Sequence, residues 1–226
     1  RDQPGRSGEF HRHAIPDIRR DGARLSGLLA SILVPDLFGA ELYDQGQALS
    51  LHPDEERAVA GTVEKRRRDF ALGRTCAHAA LAQLSRDAGP IARANDGAPV
   101  WPAGIVGSIT HTQAYAAAVV AVAADFAGLG VDAERIGGVT QDLWPRLFNT
   151  GERDELARQS DPSRLATILF SAKEACHKAG QGRVLRFHDL HVALGENTFT
   201  AQRGTETFEG RYRVQGDLVV TAAWRR

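Results

Sequence analysis

FAGLGVDAERIG (residues 126–137) is the stretch on which the fold turns. Residues 126–133 form an apolar run of strand length, and the run ends at the acidic pair Asp132 and Glu134 before two glycines break the pattern. Positions i and i+2 of a strand point to one face, so the two carboxylates are predicted to project together. Upstream, Pro53 followed by Asp54, Glu55 and Glu56 marks a helix start, with proline at the first position and acids at the positive end of the dipole. The helical pattern continues towards Leu84; RANDGAPVWP (93–102) is turn material, and the apolar runs 105–109 and 114–122 suit buried strands. Downstream, helical segments near 141–148 and 151–158 precede a firmer helix, with Asp161 as N-cap, Pro162 in the first turn and Gly180 as the stop. Residues 188–224 alternate apolar and polar side chains in short pieces and read as antiparallel sheet. The order helix, strands, helices, strands predicts an α+β protein of two similar halves in pseudo-two-fold arrangement. These are residues 24–125 and 126–226, with the active site at the seam. Residues 1–23 read as a flexible leader or a remnant of expression.

The charge balance narrows the function. With 28 Lys+Arg against 28 Asp+Glu, the chain lacks the net basic character of a nucleic-acid or membrane polycation. No apolar run approaches the roughly 18 residues of a membrane span, so no membrane association is expected. Cys76 and Cys176 are isolated from other ligand-type residues at metal spacing, which argues against a disulfide framework or structural zinc and for a cytoplasmic setting. The 28 bases comprise 25 arginines and three lysines, Lys65, Lys173 and Lys178. Such a bias points to GC-rich codon usage, under which a lysine that persists calls for a chemical reason.

Four motifs carry chemistry. In GVDAERIG (130–137), two carboxylates on one strand face suit a hard cation such as Mg²⁺; the competing reading is a surface ion pair with Arg135 or another arginine. In FSAKEACHKAG (170–180), Glu174 and Lys178 are i,i+4 neighbours that would stabilise a helix as a plain salt bridge. The lysine bias argues instead that Lys173 and Lys178 act as compact charges towards phosphate oxygens, where arginine is no substitute. EKRRRDFALGR (64–74) concentrates positive charge on a helix, either as a solvated stripe or as an anion grip. GSITHT (107–112), read as a turn after a strand, offers backbone N–H groups, two hydroxyls and His111 to an anion. No nucleophile elbow and no HExxH zinc motif is present.

Taken in order, KRRRDFALGRTCA, RANDGAPVWPAGIVGSITHT, GVDAERI and FSAKEACHKA resemble the Sfp-type and enterobactin-synthase-type 4'-phosphopantetheinyl transferases over roughly residues 50–195. The resemblance implies transfer of the 4'-phosphopantetheine arm of coenzyme A to a serine of an apo acyl or peptidyl carrier protein, with release of 3',5'-ADP. It implies that Asp132, Glu134 and Glu174 hold Mg²⁺, with Mn²⁺ as a substitute, and that Glu174 is the general base. Lys173 and Lys178 would then meet phosphate oxygens, with Lys178 on the leaving group. Arg66, Arg74, Arg93, Thr110 and His111 would grip the nucleotide and its 3'-phosphate. Helical geometry leaves Arg67 as an alternative to Arg66. The segment between Lys178 and Phe187 is shorter than is usual in the family and lacks its aromatic residues. A monomer is expected, because one chain supplies both halves of the site. The other readings are a Mg²⁺-dependent phosphohydrolase acting on a nucleotide and a non-catalytic carrier-binding module; the second would have lost acids that this chain retains.

Overall fold

The computed structural model describes residues 27–86, 89–180 and 186–226. The expected leader, residues 1–23, lies outside them, as do residues 181–185 of the short segment after Lys178. The described residues form two antiparallel sheets and five α-helices. The first sheet contains β1 (Phe38–Tyr43), β2 (Ile105–Thr112) and β3 (Tyr115–Val122) in the order β1-β3-β2, with α1 (Pro53–Ala58) and α2 (Glu64–Gln83) between its first two strands. The second contains β4 (Gly128–Arg135), β5 (His191–Leu194), β6 (Thr198–Arg203), β7 (Glu206–Gln215) and β8 (Leu218–Arg225) in the order β4-β8-β7-β6-β5. Helices α3 (Trp144–Leu147), α4 (Thr150–Arg158) and α5 (Pro162–Ala179) follow β4. Both halves therefore run strand, helices, strands.

Strand alternation builds the layers. Tyr115, Ala117, Val119 and Ala121 of β3 share one core with Leu129, Val131 and Ala133 of β4 and with Val220, Ala222 and Trp224 of β8. The opposite face of β3, Ala116, Ala118 and Val120, packs on Leu72, Cys76, Ala80 and Leu81 of α2. Ala223 of β8 turns the other way, onto Ala172, Ala175, Cys176 and Ala179 of α5. The order is helix, sheet, sheet, helix, and the edge strands β2 and β4 meet where the sheets join.

Three expectations change. β1 precedes the helices, and no strand was expected there: FGAELY is short and interrupted by Gly39 and Glu41, and its strand conformation comes from pairing with β3, Phe38 opposite Val120 through Tyr43 opposite Tyr115. The expected helix from Pro53 towards Leu84 is two helices. Thr62 donates its hydroxyl to the Val59 carbonyl (2.8 Å), engaging an acceptor that a continuing helix would need. GSITHT is no turn but the body of β2, paired with β3 from Gly107 opposite Val120 to Thr112 opposite Tyr115, so the anion-binding turn read there does not exist. The firmer helix matches its signals: Asp161 accepts from the Arg164 N–H (3.2 Å) at the start of α5, and the Gly180 N–H donates to Cys176 O (2.8 Å) at its end. Among the described residues, no helix is long and apolar enough to cross a membrane.

Candidate active site

The acids are brought together by the way α5 lies on β4. A Cβ at Gly130 would stand 1.9 Å from the Ala175 carbonyl oxygen, so only the missing side chain lets the helix backbone settle onto the strand. Two and four residues further along the same face come Asp132 and Glu134, beside the stretch of α5 that carries Glu174 and Lys178.

Asp132 is 4% exposed. Its Oδ1 accepts from Lys178 Nζ at 2.8 Å and stands 3.5 Å from Thr110 Oγ1 of β2. Its Oδ2 is buried without a hydrogen-bond partner. Lys178 reaches over β4 where it meets β2, also donating to Val131 O (3.0 Å), with Thr110 Oγ1 at 3.5 Å. The surface pairing with Arg135 does not occur: Arg135 is held by Asp217 at 2.5 Å. Nor is Lys178 the simple helical partner of Glu174, since its ion pair crosses to Asp132.

The electrostatics follow from crowding. Burial, then the Asp132 and Glu174 charges, push the Glu134 carboxyl up to about 7 against the pull of Lys178. Glu174 is raised as well, by burial first and then by Asp132. Across the seam, desolvation holds His111 below its ordinary value; the Lys178 and Lys65 charges lower it further, while Asp69 and Asp132 oppose them. Six predicted residues thus converge: Asp132, Glu134, Glu174, Lys178, Thr110 and His111.

Arg74 and Arg93 make a second set. Arg74, 5% exposed, stacks on Phe70 at 4.5 Å, lies 3.8 Å from Glu55 and leaves its Nε without a hydrogen bond. Burial lowers its pKa, and nearby Arg93 adds like-charge repulsion. Arg93 is exposed and donates to Gly97 O at 3.3 Å. Arg66 is exposed on α2, whereas Arg67 grips both oxygens of Glu56 at 2.8 and 3.0 Å.

Lys173 must be corrected. It is fully buried, and its three N–H donors go to Glu152 Oε2 (2.7 Å), Phe187 O (2.7 Å) and Leu190 O (2.8 Å). No donor remains for a phosphate. Sequence reasoning missed Glu152, although Asn149 three residues before it gives a capping-box signal. It also read Glu55 only as a helix-start acid, whereas this carboxylate is 2% exposed and accepts from His78 (2.8 Å), the Ile91 N–H (2.9 Å) and the His52 N–H (3.1 Å).

Against known proteins, residues 54–121 match the model of the 4'-phosphopantetheinyl transferase N-terminal domain, and residues 128–223 match that of the 4'-phosphopantetheinyl transferase superfamily. The chain is 36% identical over 192 residues to the 4'-phosphopantetheinyl transferase Npt of Nocardia iowensis, covering 84% of this chain and 86% of that one. The chain belongs to the 4'-phosphopantetheinyl transferase superfamily. It is 40% identical over 191 residues to the transferase Svp of Streptomyces mobaraensis, covering 76% and 77% of the two chains. To the transferase PptT of Mycobacterium tuberculosis it is 33% over 223 residues, covering 89% and 97%. It is accordingly an enzyme, a 4'-phosphopantetheinyl transferase, and the two matches fall on either side of the β3–β4 connection.

Proposed function

We propose that this transferase moves the 4'-phosphopantetheine arm of coenzyme A to a serine of an apo acyl or peptidyl carrier protein and releases 3',5'-ADP, with Mg²⁺ at the acidic cluster. The observation that carries the reading is the Asp132 carboxylate, buried at the seam with Oδ2 unpartnered and close enough to raise the pKa of both Glu134 and Glu174. An unpaired buried carboxylate oxygen costs about 1–3 kcal/mol, a penalty that a cation removes. Among the described residues, no three or more His, Cys, Asp or Glu side chains are grouped so as to hold a metal ion by themselves, so the ion would depend on water and substrate oxygens as well. The donor set is open, all oxygen, and suits an ion that keeps water and phosphate oxygens among its ligands.

In this reading, the half with β1–β3 supplies the nucleotide grip and the half with β4–β8 supplies the metal and the proton acceptor. Arg74, Arg93 and Arg66 hold the nucleotide's phosphates; Thr110 and His111 line the seam. Mg²⁺ bound by Asp132, Glu134 and Glu174 would neutralise pyrophosphate charge that builds up during transfer. Glu174, whose raised pKa suits a general base, takes the proton of the serine hydroxyl directly or through a water. The serine oxygen forms its bond to the pantetheine-side phosphorus as the bond from that phosphorus to the 3',5'-ADP oxygen breaks. Lys178, at the edge of β4, meets the negative charge on the departing phosphate. Both sets of residues lie in one chain, so a monomer suffices.

The test is incubation with coenzyme A, Mg²⁺ and a panel of apo carrier proteins, read by carrier mass. One added phosphopantetheine on at least one carrier supports the reading. Coenzyme A consumption without a carrier and no carrier adduct would favour the phosphohydrolase instead.

A further inference from the structure

Lys173 lies next in sequence to Glu174 yet points away from the acidic cluster, into a slot closed to solvent. Its tripod joins three parts of the second half. Glu152 caps α4 by accepting from Asn149 N (3.0 Å) and also stands 3.3 Å from the Val192 N–H of β5. Phe187 O and Leu190 O belong to the chain that returns after α5. On its opposite side, α5 is seated against Gly130 of β4 through the Ala175 carbonyl. The helix is therefore fixed about its axis from two directions, and successive helical residues point about 100° apart. Turning α5 by a fraction of that angle would carry Glu174 away from Asp132 and Glu134.

The chemistry also explains why this position is lysine in a chain with 25 arginines. Three acceptors at 2.7, 2.7 and 2.8 Å equal in number the three N–H donors of a compact ammonium; a planar guanidinium is larger and presents its donors in one plane. A charge so deeply buried persists only when paired and fully hydrogen-bonded, and Lys173 is both.

We propose that Lys173, clamped to Glu152, Phe187 O and Leu190 O, is a positioning residue that sets the rotation of α5 and so aims Glu174 at the metal shared with Asp132 and Glu134. This rests on the metal reading of the acidic cluster. A purely structural role would lower stability while leaving metal affinity unchanged in whatever protein remained folded.

The test is Mn²⁺ titration followed by paramagnetic resonance, with coenzyme A present, on the wild type, Lys173→Met, Lys173→Met combined with Glu152→Gln, and Asp132→Ala. The double variant removes both buried charges and so avoids leaving Glu152 unpaired if the single change prevents folding. The expected result is at least tenfold weaker Mn²⁺ binding in the folded Lys173 variant, with coenzyme A affinity in the absence of metal within about twofold of wild type. Wild-type Mn²⁺ affinity in that variant, with binding lost in Asp132→Ala, overturns the positioning role alone. Unchanged binding in Asp132→Ala overturns the metal reading and this inference with it.

Discussion

Lys178 Nζ stands 2.8 Å from Asp132 Oδ1, while the other oxygen of the same buried carboxylate has no partner. One side of Asp132 is thus neutralised by α5, and in the proposed reading the other is left for a cation. Asp132→Ala is expected to reduce transfer roughly 10² to 10⁴-fold, the scale of one strong electrostatic contact to a transition state. The fold should survive, as checked by circular dichroism beside kcat/KM; wild-type turnover would remove Asp132 from the mechanism.

Lys178→Arg should be damaging despite conserving charge. Lys178 meets Asp132 Oδ1 and Val131 O across a strand edge from a half-buried position, and a planar guanidinium cannot direct its donors the same way. At least a tenfold fall in kcat is expected, measured at saturating coenzyme A and Mg²⁺.

Glu134 ties the site to pH. Its folded-state pKa of about 7 lies above its ordinary value of 4.5, so the folded protein holds this proton more tightly than the unfolded chain. The resulting stability is fully present below the ordinary value and is lost as pH rises through about 7. Without metal, wild type should lose more stability than Glu134→Gln between about pH 5 and about pH 8 in chemical denaturation. Because a cation needs the ionised form, the Mg²⁺ concentration for half-maximal rate should climb below about pH 7 in the wild type, and Glu134→Gln should weaken that dependence.

Arg67 is committed to Glu56, whereas Arg66 beside it is exposed. Arg66→Ala should raise KM for coenzyme A several-fold and Arg67→Ala should leave it within about twofold. Steady-state kinetics on the two variants decides between them.

Gly130→Ala would place a methyl group 1.9 Å from Ala175 O and push α5 off β4. Overpacking of this kind typically costs about 1–3 kcal/mol. A melting temperature lowered by several degrees is expected, together with weakened metal dependence, because α5 carries Glu174 and Lys178.

Much of the fold and of the acidic cluster is legible in the sequence. The β4 reading, the acidic pair on one face and the Asp161 to Gly180 helix rest on local rules: alternation, capping and proline placement. What escaped depended on tertiary partners. β1 exists because β3 offers it a ladder, and GSITHT is a strand because β3 pairs along its whole length. The scarcity of lysine singled out position 173, yet composition does not say which way a side chain points. Its three acceptors come from α4 and from the chain beyond α5, more than ten residues away in sequence. Glu55 escaped similarly, since a carboxylate at a helix start looks alike whether solvated or buried beneath His78 and Ile91.

The most direct test of the central claim is the mass of an apo carrier protein after incubation with the wild-type enzyme, coenzyme A and Mg²⁺, beside Asp132→Ala and a metal-chelated control. The account predicts one added phosphopantetheine per reactive serine with the wild type, together with 3',5'-ADP in equal amount, and little or none in the other two. Full modification by Asp132→Ala, or undiminished transfer after chelation, would contradict it.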